Sequence, residues 1–84
     1  MARYMIIERF EPDTLTAIYQ RLYTKGRGLP DGLRYIDSWL TADDSCVYQV
    51  METDNVTLFD VWFEHWDDLV SFEIVPLRDK PAAT

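Results

Sequence analysis

The chain has one cysteine (Cys46), one histidine (His65), and no lysine or arginine between positions 35 and 77. A lone cysteine excludes an internal disulfide, and no Cys/His spacing suits zinc, so neither metal nor cofactor is expected. No apolar run approaches the ~20 residues of a membrane span. The start, Met1-Ala-Arg-Tyr-Met5, lacks a signal peptide's apolar region and cleavage site. The expectation is a cytoplasmic protein with no membrane partner. Residues 35–77 carry ten acids, whereas residues 1–34 carry six Lys/Arg against four acids. Phosphate backbones require a basic footprint, and none spans this chain, so nucleic acid is excluded as a partner. Gly26-Arg-Gly28-Leu-Pro-Asp-Gly32 matches neither GxxxxGK[ST] nor GxGxxG, which leaves no support for a nucleotide. Asp43-Asp44 lacks the EF-hand pattern.

What the chain does have is apolar and aromatic mass. Of 84 residues, 48% are hydrophobic and 14% aromatic, too apolar for disorder and enough for one small core. Residues 1–79 read as a single domain and 80–84 as a loose tail. Arg3 to Phe10 reads as a strand. Glu11-Pro-Asp13 opens a helix, and Leu15, Ile18, Tyr19, Leu22 and Tyr23 form its apolar stripe. Leu33–Leu40 and Cys46–Met51, separated by the polar Thr41–Ser45, read as a hairpin. Thr53-Asp54 is expected to cap a second helix burying Phe59, Trp62 or Phe63, and Trp66. The last strand covers Leu69 to Leu77, with Pro76 marking it as an edge. The order is β-α-β-β-α-β, a ferredoxin-like α+β plan of four antiparallel strands with both helices on one face. In this reading the first and third strands run parallel.

Strand alternation sorts side chains between the two faces. Turning Met5, Ile7, Cys46, Tyr48, Val50, Phe72 and Ile74 toward the helices, with Ile36 and Leu40, leaves the opposite face to Tyr4, Ile6, Glu8, Tyr35, Asp37, Trp39, Val47, Gln49, Met51, Glu73 and Val75. That face mixes apolar groups with carboxylates, which argues for a partner surface. Two such sheets packed face to face would enclose the polar groups, so Tyr4, Tyr35, Asp37, Trp39, Gln49 and Met51 are the expected ligand-binding residues. Glu8, late in the first strand, and Glu73, early in the fourth, are expected at the same end of the sheet. There they are candidate catalytic residues, a proton donor beside an acceptor. His65 reads as an outer helix residue, Cys46 as a buried small side chain, and no serine has a triad context.

Tyr4-Met-Ile-Ile-Glu-Arg-Phe10, Tyr35-Ile-Asp-Ser-Trp39, Gln49-Val-Met-Glu-Thr-Asp54 and Phe72-Glu-Ile-Val-Pro76 resemble a group of short bacterial proteins known only as a domain of unknown function. The resemblance covers nearly the whole chain. It implies a ferredoxin-like fold of the dimeric α/β-barrel type and carries over no catalytic residue. The wider barrel class includes cofactor-independent monooxygenases, isomerases and haem-handling enzymes, but the motif around a haem histidine is not matched at His65. The reading is a cytoplasmic homodimer binding a small molecule. An enzyme using Glu8 and Glu73, and a purely structural or interaction module, are the alternatives.

Overall fold

The computed structural model describes residues 1–78, so the expected tail at 80–84 and the domain's last position, 79, lie outside the described residues. The elements are β1 (Ala2–Arg9), a 3-10 turn (Pro12–Thr14), α1 (Leu15–Lys25), β2 (Leu33–Leu40), β3 (Cys46–Thr53), α2 (Thr57–Phe63) and β4 (Ser71–Leu77). Pro12 starts the turn into α1, where its missing N–H costs nothing. Gly26 closes α1 at φ 70°, donating its N–H to the Leu22 carbonyl. At the start of α2 the capping oxygen is Asn55 Oδ1, which accepts the Thr57 N–H at 3.1 Å. Thr53, the expected cap, instead accepts the Asn55 N–H and donates its hydroxyl to the Gly32 carbonyl at 2.8 Å. It thereby ties the loop before β2 to the end of β3.

The strands form one open sheet in the order β2-β3-β1-β4, with every neighbouring pair antiparallel. This is the ferredoxin-like plan, and β4 with Pro76 lies at an edge. The expectation that the first and third strands run parallel does not hold: β1 and β3 are antiparallel. The crossover through α1 returns β2 parallel to β1, and the hairpin then reverses β3 against both.

The face assignment for β1 and β3 is also corrected. Ile6 and Met51 are wholly buried with Phe59, Trp62 and Trp66, while Ile18, Leu22 and Tyr4 pack around them. The helix side therefore holds Tyr4, Ile6 and Glu8 from β1 and Val47, Gln49, Met51 and Thr53 from β3. Cross-strand pairing links Tyr4 with Met51, Ile6 with both Gln49 and Ile74, and Glu8 with both Val47 and Phe72. Central strand β1 is apolar on both faces, so Met5/Ile7 and Tyr4/Ile6 offer equal reason to point inward. Phe72 and Ile74 of β4 face the helices as expected. In β2 the register shifts between Tyr35 and Asp37, which oppose the consecutive residues Met51 and Val50. This bulge at Ile36 turns Tyr35 toward the helices and keeps Asp37 and Trp39 on the open face.

The open face is banded. Met5, Ile7, Tyr48, Val50, Val75 and Trp39 form its apolar middle, with Trp39 54% exposed and Tyr48 40%. One end is edged by Arg3 and Arg34, both paired with Glu52, and the other by Arg9 paired with Glu73. No helix among the described residues is long and apolar enough to cross a membrane.

Candidate functional site

A cavity of about 310 Å³ lies between the sheet and the helices. Its walls are apolar: Ile18 and Leu22 from α1, Trp62 from α2, and Trp66, Val70 and Phe72 from the segment running into β4. Tyr19 and Leu40, both exposed, also line it and mark its mouth. Among the described residues the polar groups in this lining include Glu8 from β1, Ser38 from β2, Gln49 from β3 and Arg27 from the loop after α1. An apolar recess with a few convergent polar groups is the usual form of a small-molecule site.

Glu8 is the most perturbed group there. It sits opposite Val47 and Phe72, and among the described residues its carboxyl makes no hydrogen bond or ion pair. Burial raises its pKa from 4.5 to about 7, with the positive charge of Arg27 pulling part of the way back. Gln49 is only 3% exposed, and one N–H of its side-chain amide donates to the Met51 sulfur at 3.3 Å. The amide oxygen has no partner among the described residues. The Ser38 hydroxyl is held by the Tyr35 hydroxyl at 2.7 Å.

Arg27 is positioned by backbone. It stands between Gly26 and Gly28, both in the left-handed region at φ 70° and 73°. A Cβ at position 28 would come within 3.1 Å of the His65 ring, so any other residue there would have to push that side chain aside and adopt a positive φ as well. The Arg27 carbonyl accepts the indole N–H of Trp62 and that of Trp66, each at 2.9 Å. The four-residue spacing of the two tryptophans puts both donors on one side of the helical turn. The guanidinium lies on the Tyr35 ring, its Cζ 3.6 Å from the centroid, and pairs with no carboxylate among the described residues. Stacking on a ring occupies the face of the guanidinium and leaves its edge donors to a ligand. Beside the loop, Arg21 makes two bonds to the Asp68 carboxylate at 2.7 and 2.8 Å and one to the His65 carbonyl, locking α1 to the turn before β4.

The expected site residues therefore divide. Glu8 and Gln49 line the cavity, and Tyr35 supports Arg27. Tyr4 meets the Phe59 ring edge-on at 5.3 Å, and Met51 is core. Asp37, Trp39 and Glu73 lie on the open face. Glu8 and Glu73 are thus not neighbours, because residues one step apart on paired strands point to opposite faces. Glu73 pairs instead with Arg9 at 2.8 Å, in water. Arg27 was missed by strand alternation because it belongs to a loop. The signal that finds it is an arginine between two glycines together with the Trp62/Trp66 spacing. His65 is exposed at the helix end, and no group of three or more metal-ligating side chains gathers among the described residues.

These features define a ferredoxin-like α+β domain with a polar-spotted apolar cavity under its helices. Over residues 2–83 the chain matches the family described as a domain of unknown function (DUF3303), and it belongs to that family. Among curated proteins no match is found.

Proposed function

We propose that this chain is a cytoplasmic, homodimeric binding domain for a small organic molecule, taken up between sheet and helices. The observation that carries the reading is the set of unspent polar groups, Glu8, the Gln49 oxygen and the Arg27 guanidinium, in one apolar-walled space. Among the described residues no buried side-chain nitrogen or oxygen lacks a partner, so these groups meet water in the recess, and a ligand there would take the place of that water. The dimer is supported by the banded open face, whose apolar middle is costly to leave in water at ~25 cal/mol per Å². A second copy related by a two-fold axis would cover that middle and set its charged rims against each other. In this arrangement Asp37, Trp39 and Glu73 serve the interface, while Glu8 and Gln49 serve the ligand. Native mass spectrometry of freshly purified protein tests both halves at once, through oligomer mass and retained ligand. A monomer with no retained or added small molecule would end the reading.

Glu8 also favours a second reading, a cofactor-independent isomerase. A carboxyl half-ionised near neutrality can take a proton from carbon and return it elsewhere. The electron pair would move onto a ligand oxygen facing Arg27, whose fixed charge stabilises it. Glu8 alone would then do the proton work first assigned to a pair with Glu73.

A further inference from the structure

The dimensions and chemistry of the cavity constrain its occupant. A space of 310 Å³ is about twice the ~150 Å³ that takes a benzene, so a substituted single ring fits with room for its polar groups and a few waters. Indole and phenyl walls from Trp62, Trp66 and Phe72 favour a flat aromatic body over a flexible chain. Arg27 offers a planar fork of edge donors with no carboxylate of its own among the described residues, which suits a carboxylate better than a neutral oxygen. Glu8 and Gln49 are diagonal neighbours on β1 and β3, since Glu8 opposes Val47. With Glu8 protonated, a hydroxyl between them accepts from the carboxyl and donates to the Gln49 oxygen; with Glu8 ionised, it donates to the carboxylate. Among the described residues no second cation lines the cavity, which argues against a phosphate or a dianion.

Resting on the ligand-site reading above, we propose that the cavity takes a single-ring aromatic hydroxy acid, with its carboxylate on Arg27 and its hydroxyl between Glu8 and Gln49. The ring lies against Trp62, Trp66 and Phe72. Both polar ends are then satisfied by groups the folded chain leaves unpaired, so neither end alone captures the full affinity.

The test is a panel of toluene, phenol, benzoate and the three hydroxybenzoate isomers, titrated into the full chain at pH 7. The ¹⁵N–¹H signals of the Trp62 and Trp66 indoles, which border the cavity, report binding. At least one hydroxybenzoate isomer is expected to bind tenfold or more tightly than both benzoate and phenol. Arg27→Met is expected to erase that isomer's advantage over phenol while toluene still binds. If no isomer reaches a tenfold advantage, the hydroxy-acid assignment is overturned. Toluene or phenol binding in that case leaves the ligand-site reading standing. Indole signals that none of the six compounds moves would overturn the aromatic assignment, and the retained-ligand measurement by native mass spectrometry would then decide the ligand-site reading by itself. The panel on unaltered protein decides the matter even if the arginine variant folds poorly.

Discussion

Glu8 makes the cavity sensitive to pH through a single side chain. A carboxyl whose folded pKa is about 7 and whose unfolded value is near 4.5 binds more protons in the native state between those two values. Its cost to stability is therefore absent below pH ~4.5 and grows until pH passes ~7. At 1.36 kcal/mol per pKa unit the full cost is at most roughly 3 kcal/mol. Glu8→Gln should accordingly stabilise the fold by an amount approaching this at pH 8 and by little at pH 4, measured by urea unfolding. An equal effect at both pH values would show that Glu8 carries its charge as freely as a surface residue. Glu73→Gln should change the stability of the single subunit little at any pH, because within one chain Arg9 and the carboxylate are both half-exposed, so any effect should fall on dimer dissociation instead. The candidacy of Glu8 is legible in the sequence, as a carboxylate next to the apolar run Tyr4–Ile7 of a strand. Its face is not, because the two alternating sets of β1 are equally apolar, and only the pairing across to Phe72 decides.

At the scale of elements, the boundaries of β2 and the existence of every other element follow from periodicity and turn chemistry. The bulge at Ile36 does not, since an extra residue leaves no compositional mark in an apolar strand. Nor does the Gly26–Gly28 loop, whose role becomes visible only once α2 lies beside it. That loop yields a sharp expectation. Gly28→Ala places a Cβ at φ 73° and 3.1 Å from the His65 ring, and left-handed backbone alone costs a non-glycine residue ~1–2 kcal/mol. The melting temperature should fall by ~4–8 °C per kcal/mol lost in a domain this small. Both tryptophan indole N–H signals should shift together, because Trp62 and Trp66 share the Arg27 carbonyl. Gly26→Ala meets no atom within 4 Å and should cost only the backbone strain. Indole signals that stay in place in Gly28→Ala would mean that contact with His65 does not govern the loop.

At the scale of the molecule, the open face predicts assembly. Light scattering should find a dimer at micromolar concentration, and Trp39→Asp should return it to monomer by setting an uncompensated charge in the interface. An unchanged dimer would place the contact elsewhere. The distribution of charge has its own consequence. All four ion pairs among the described residues join the first half of the chain to the second: Arg3 and Arg34 to Glu52, Arg9 to Glu73, and Arg21 to Asp68. Residues 1–42 hold six Lys/Arg against five acids, and residues 43–84 hold two against ten. Strand β1 is also threaded between β3 and β4. The chain is in effect two complementary peptides joined by a short tether at Thr41–Ser45. Severed there, the halves should find each other again in dilute buffer and recover the sheet's circular dichroism. Salt at 0.5 M should slow that reunion, since it shortens the reach of the attraction to a few ångströms.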